Sequence, residues 1–324
     1  MKKAIWFLIG SFFSFCVVFW HRPLQAQTYP EQPIQMIVTL APGDTVDLAG
    51  RAIGAEMAKI LKTPVVILNK PGGGGTIGAE SVVRGKNDGY TLLFAINGIY
   101  YAHAINPGSV PYNPLTDLDP LCAAVSVPMA LPVLADSPWK SFQDLMGYMK
   151  QNPGKIRGGA IGVASVGFFN FETIRAETGN AFNVIPFKGG TPLVAAILGG
   201  HVETGQPTLG LIAPHVRAGK VRLLLTSQRV PEFPDVPTLK GLGYKRDMRS
   251  IRFAFYLPLG VPDSVKKVLV PAIEKAIKAP EVVDAIEKIG AVVDFVPGQQ
   301  YKQAMAEEYA MVREFVKVSP PPGK

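Results

Sequence analysis

Short apolar runs and apolar stripes of helical period alternate along most of the chain. Residues 34–40 form an apolar run of strand length. Residues 44–61 follow, with Leu48, Ile53, Met57 and Ile60 spaced for the inner face of a helix, and residues 65–68 supply a second strand. A glycine-rich turn at 71–75, a short helix over 77–84, the Asn87-Asp88-Gly89 turn and a strand over 90–95 continue the pattern. Such alternation predicts a mostly parallel sheet covered by helices on both faces. Residues 117–138 are extended, apolar and punctuated by proline, as expected of a chain crossing into a second domain. There the alternation resumes, with helices over 141–150, 167–177, 192–198 and 211–218 and strands over 183–185, 202–205 and 221–226. The Pro- and Gly-rich stretch 229–243 reads as the return connection. A strand over 253–257, helices over 264–278 and 280–289, a strand over 292–295 and a last helix over 299–316 complete the first domain.

Length supports the division, because single cores stop growing beyond roughly 250–300 residues. The expected architecture is α/β, with one domain from residues 27–125 and 240–324 and the other from 126–239. Two crossings leave a cleft that hinge motion can close. Ahead of these domains, Lys2 and Lys3 precede an apolar stretch over 4–20 and a polar one over 21–27. That order predicts a secretory signal peptide, residues 1–26, cleaved near Ala26, and hence a periplasmic protein; a retained membrane anchor is the alternative.

Charge and cysteine usage narrow the classes. The formal net charge is +8, but basic and acidic residues are interspersed without a basic stripe, which argues against nucleic acid. Beyond the leader the only cysteine is Cys122, expected in the core, so no internal disulfide can form. His103, His201 and His215 lie in separate segments and no HExxH motif occurs, so neither a metal nor a cofactor is expected. Ser165 stands in a glycine-flanked loop that lacks nucleophile-elbow spacing, which disfavours an exported hydrolase. The turn Pro71-Gly72-Gly73-Gly74-Gly75-Thr76 lacks both P-loop and dinucleotide fingerprints and reads as a tight strand-to-helix turn. No heptad pattern suggests association, and a monomer is expected.

The candidate chemistry lies in three strand-to-helix junctions: Gly43, Asp44 and Thr45 in the first, Asn97 and Gly98 in the second, and Gly162, Val163, Ala164 and Ser165 in the third. Each offers backbone amides at a helix start on the ligand side of an α/β sheet. Each helix start carries about half a positive charge, so several aimed into one cleft can hold a carboxylate without Arg or Lys. Ordinary capping by Asp44, Thr45 or Ser165 is the competing reading. Phe168, Tyr100 and Tyr101 offer rings either for stacking on a ligand or for packing between domains.

At these junctions the chain resembles the Bug (TctC-like) family of tripartite tricarboxylate transporter substrate-binding proteins. The matching motifs run in order: Tyr29-Pro30 with Pro33-Ile34, Ala41-Pro42-Gly43 with Asp47 and Arg51, Asn69-Lys70-Pro71-Gly72, and Asp88-Gly89-Tyr90-Thr91. Pro111-Tyr112-Asn113-Pro114, Asn152-Pro153-Gly154-Lys155, Pro186-Phe187-Lys188-Gly189-Gly190, Ala218-Gly219-Lys220-Val221-Arg222 and Pro234-Asp235-Val236-Pro237-Thr238 follow. The resemblance implies a type II periplasmic-binding-protein (Venus flytrap) fold that binds rather than transforms its solute. It further implies a small carboxylate ligand, delivery to a two-subunit membrane permease, and ligand contacts extending to Lys188 and Gly189. A receptor signalling to a membrane sensor kinase is the alternative. Departures fall on the cleft loops: Asp44 and Val46 where the family usually has Gly and Thr, Ala160 and Phe168 where it usually has Ser and His, and Arg252 in place of an aromatic. The changed lining suits an aromatic or branched monocarboxylate, or a neutral or amine-bearing molecule paired with Asp44.

Overall fold

The computed structural model describes residues 29–162 and 165–318; the expected leader, its cleavage point near Ala26, and Val163 and Ala164 lie outside the described residues. The chain enters a large sheet through β1 (Ile34–Val38), α1 (Thr45–Leu61), β2 (Val65–Asn69), α2 (Thr76–Val83), β3 (Thr91–Ile96), α3 (Gly98–Ile105) and β4 (Leu118–Val127). It then builds smaller sheets from β5 (Ala130–Leu134), α4 (Phe142–Gln151), β6 (Arg157–Ile161), α5 (Val166–Thr178), β7 (Asn183–Phe187), α6 (Gly190–Leu198), β8 (Thr204–Gly205), α7 (Leu209–Arg217) and β9 (Val221–Thr226). It returns through β10 (Ile251–Pro258), α8 (Asp263–Ile277), α9 (Pro280–Lys288), β11 (Val292–Pro297) and α10 (Gly298–Val318).

The large sheet has six strands in the order β11-β4-β10-β3-β1-β2. Only β2, β1 and β3 pair in parallel; β10 is antiparallel to both β3 and β4, and β11 is antiparallel to β4. The mostly parallel sheet expected from the sequence is therefore mixed, because β10 comes back from the smaller sheets and inserts between β3 and β4 in the opposite sense. Its neighbours are buried almost throughout, which is why β3 and β4 read as continuous apolar runs. The smaller sheets are a parallel trio, β7-β6-β8, and an antiparallel pair, β5-β9.

Helix α1 shows how small residues seat a helix on the sheet. Its buried stripe is Val46, Ala49, Gly50, Ile53, Gly54 and Met57, whereas Leu48 is exposed and Ile60 only half-buried. The expected stripe is thus shifted: a Cβ on Gly50 would stand 3.2 Å from Phe94 and Val38, so the helix approaches along its smallest residues and turns Leu48 outward. In β6 the demand is tighter, since a Cβ on Gly159 would stand 2.2 Å from Leu193 Cδ1 and 2.9 Å from the Phe187 ring.

The chain passes between the sheet systems at Pro128–Met129 and again after Thr226. One hydrogen-bonded group of side chains ties the passages together: Ser126 Oγ and Ser250 Oγ both donate to Gln228 Oε1 at 2.5 and 2.8 Å, Ser227 and Ser250 hydroxyls meet at 2.7 Å, and Met129 N donates to Ser227 Oγ at 2.9 Å. The return segment does not leave the smaller sheets early, because Leu239 and Met248 pack with Leu131, Phe142 and Phe171. Next to it, Asn170 of α5 accepts from Arg249 N at 2.6 Å and donates to Arg249 O at 3.0 Å, while Arg249 Nη1 reaches Glu308 Oε1 of α10 at 3.0 Å. Tyr100 and Tyr101 donate to the other oxygen of Glu308 at 2.9 and 3.0 Å.

The loop before α1 is held from below by Asp47. Its carboxylate accepts from Gly43 N at 2.8 Å, Arg51 Nε at 3.0 Å and Asn69 Nδ2 at 2.9 Å, and the same Asn69 nitrogen reaches Leu40 O at 3.0 Å. Burial raises the Asp47 pKa, but bonds from Arg51, Gly43 and Asn69 outweigh it and hold the carboxyl below the usual aspartate value. A depressed value in the folded state contributes stability above the unfolded value of about 3.9, lost as pH falls through the lower folded one. Asp47→Asn is expected to lower stability by ~1–2 kcal/mol at pH 7, with the gap to the native chain narrowing below about pH 4; urea titrations from pH 3 to 7 check this. Gly159→Val is expected to cost about 1–3 kcal/mol by overpacking, read as a lower urea midpoint at unchanged slope.

Candidate functional site

Between the large sheet and α7 lies a cavity of about 850 Å³. One wall is the end of β1 and the start of α1, through Leu40, Asp44 and Thr45; the floor is Ile96, Val127, Pro128, Ile251 and Phe253. The opposite wall is the first turn of α7, from Thr208 through Leu211, and the rim is formed by residues 287–292, from the end of α9 to the start of β11, together with Val230 and Glu232. Its chemistry is apolar at the floor and polar at two helix starts.

Those two starts are local consequences of sequence. Asp44, extended at φ −68° and ψ 156°, caps α1 by accepting from Val46 N at 3.3 Å. Thr208 occupies the corresponding position of α7, again in extended conformation, but its hydroxyl makes no capping bond. It is anchored by a bridge to Met129, and Leu209 N donates to Pro128 O at 2.7 Å. Both termini present the positive end of a helix dipole to the same space. Arg217 is paired with Glu232 at the rim at 2.7 Å, so its charge is partly neutralised.

The residues singled out from the sequence divide as follows. Asp44 and Thr45 line the cavity, and Gly43, at φ +84°, makes the turn that presents them. Asn97 follows the cavity-lining Ile96 but is itself buried: its Nδ2 donates to Ser250 O at 3.4 Å, and its Oδ1 has no partner among the described residues. Gly98 is packed under the glycine-rich turn, where a Cβ would stand 2.8 Å from Gly74 O. Gly162 ends β6 at φ +76°, and Ser165 caps α5 by accepting from Phe168 N at 3.2 Å. Phe168 is half-buried and meets Phe169 and Phe315 edge-on. Lys188 is exposed, and Gly189 precedes α6. None of Asn97, Gly98, Gly162, Ser165, Phe168, Lys188 or Gly189 is among the cavity-lining residues.

Tyr100 and Tyr101 are packing residues. Both are buried, and burial first and the Glu308 carboxylate second push their hydroxyls well above the usual phenol range. Cys122 lies in the core, where burial pushes its thiol up to about 12. Arg252, where an aromatic was expected, pairs with Asp294 at 2.7 Å. The glycine-rich turn has positive φ at Gly72, Gly73, Gly74 and Gly75, which explains its composition without a phosphate.

Sequence reasoning missed Thr208, Leu209 and Gly210, having started that helix at residue 211. The available signal was Pro207-Thr208 ahead of an apolar run, a proline and a threonine of the type favoured just before a helix.

Residues 49–319 match the family described as the tripartite tricarboxylate transporter family receptor, TctC. Protein BugT of Bordetella pertussis is 33% identical over 289 residues, covering 88% of this chain and 89% of that protein. Among solved structures, a TctC solute-binding protein from Polaromonas superposes with a TM-score of 0.83 at 28% identity, covering 90% of this chain and all of that one. MatC of Rhodopseudomonas palustris, solved with bound malate, superposes with a TM-score of 0.67 at 26% identity over 89% of this chain and all of that one. With its two α/β lobes, the chain belongs to the TctC/Bug family of periplasmic solute-binding receptors, which bind solutes and are not enzymes.

Proposed function

We propose that the protein captures a small carboxylate with an apolar body in the cavity between its lobes and hands it to a two-subunit membrane permease of the tripartite tricarboxylate type. The observation that carries this reading is the pairing of two helix starts, at Thr45 and at Thr208–Leu209, across a floor of Ile96, Val127, Pro128, Ile251 and Phe253. The positive ends of the two helix dipoles suit a carboxylate, although Leu209 N is itself taken up by Pro128 O, and the apolar floor suits the rest of the molecule. The family relative solved with malate supports the ligand class. The lobes, residues 27–125 with 240–324 and residues 126–239, close about the two crossings, and the receptor works as a monomer after export and leader removal near Ala26. The remaining junctions, at Asn97–Gly98, at 162–165 with Phe168, and at Lys188–Gly189, would reach the ligand by local movement of their loops.

Asp44 sets the polarity of the site. Its carboxylate caps α1 and also lines the cavity, so it opposes a second carboxylate on the ligand and favours a monocarboxylate over a tricarboxylate.

A thermal-shift screen tests the ligand class: a branched or aromatic monocarboxylate at 100-fold excess over its Kd is expected to raise the melting temperature by about 5 °C or more. Stabilisation by amines or neutral compounds alone would overturn the carboxylate reading. Asp44→Asn keeps the cap and removes the charge, so carboxylate affinity measured by calorimetry is expected to rise roughly three- to tenfold with little change in unliganded stability. Delivery is tested by deleting the receptor gene: uptake of the identified ligand is expected to cease, and undiminished uptake would remove the transport role.

A further inference from the structure

We infer that Gly210 and Gly290 form the stop against which the cleft closes, and that Gly210 is a positioning residue that sets the width of the cavity. Both line it, Gly210 from the first turn of α7 and Gly290 from the turn between α9 and β11. Their backbones touch with no side chain between them. A Cβ on Gly210 would stand 3.1 Å from Gly290 Cα, and one on Gly290 would stand 2.7 Å from Gly210 Cα. Glycine at 290 has a local reason, since φ is +73° after the end of α9. Glycine at 210 has none: it lies inside a helix without a left-handed φ, where most residues are favoured over glycine. The contact with Gly290 supplies the reason. A side chain at 210 presses α7 away from the turn, by a few tenths of an ångström for alanine and by more for valine, which widens the cavity and lowers the fraction of molecules closed tightly enough to grip a ligand.

The inference rests on the capture reading only in requiring that the lobes move, and the test separates the two. Gly210→Ala and Gly210→Val are compared with Gly147→Ala and Gly147→Val in α4, where a Cβ would meet nothing within 4 Å. Small-angle scattering of the unliganded proteins is expected to show a larger radius of gyration for the two Gly210 variants, Val more than Ala, and no change for the Gly147 pair. Gly210→Ala, which improves helix propensity, is expected to melt no lower than the native chain. With malate as probe, the dissociation constant is expected to rise about tenfold for Gly210→Val, as the closed fraction falls by that factor, and less for Gly210→Ala. Unchanged scattering in both Gly210 variants would overturn the stop. If the native chain does not bind malate, that ligand is lost to the capture reading, while the scattering still decides the stop.

Discussion

Everything about the cavity depends on how side chains tie together the two passages of the chain between sheets. At Pro128–Met129 and again between Thr226 and Ile251 the backbone leaves one ladder before joining another, and an unpaired buried group there costs about 1–3 kcal/mol. Ser126 Oγ and Met129 N of the first passage donate to Gln228 Oε1 and Ser227 Oγ of the second, and the Ser250 hydroxyl joins both of these. The passages are thereby bound to each other, and the smaller sheets are attached to the large sheet by a double connection. A double connection of this kind permits rotation of one lobe toward the other while resisting slip, which is what a receptor that closes on a solute requires.

A second pairing lies beside the first. Asn170 holds Arg249 by its backbone, and the Arg249 guanidinium meets Glu308, which also accepts from Tyr100 and Tyr101. Phe168 and Phe169 pack on Phe315 in the same region. On that side α5 and α10 share an apolar and hydrogen-bonded contact. At the cavity the lobes meet through backbone, at Gly210 and Gly290, and through helix starts whose amides need no side chain to attract an anion. Asp47 keeps one of those starts in place by binding the turn that precedes it, so a buried residue governs the loop that lines the cavity.

The order of strands and helices was legible in the sequence, because periodicity and capping are written in neighbouring residues. The helix expected over 299–316 is α10, the strand over 221–226 is β9, and Asp44 stands at a cap as its position before Thr45 suggested. The family was legible too, from motifs spread over the whole chain. The α1 stripe was misplaced because large residues were weighted over small ones, and helix-to-sheet approach is governed by the smallest side chains on the contact face.

The sequence by itself therefore determined the element order, the α/β class, the family and the presence of helix starts fit to meet an anion. Tertiary structure alone decided that β10 returns antiparallel between β3 and β4, that Thr208 rather than Asn97 or Ser165 joins Thr45 in lining the described cavity, and that Gly210 meets Gly290 backbone to backbone. The physical reason is range. A cap or a hydrophobic period depends on bonds and contacts within a few residues, whereas strand insertion, the pairing of two helix starts and a backbone-to-backbone contact depend on segments far apart in the chain, whose meeting is set by the packing of all that lies between them.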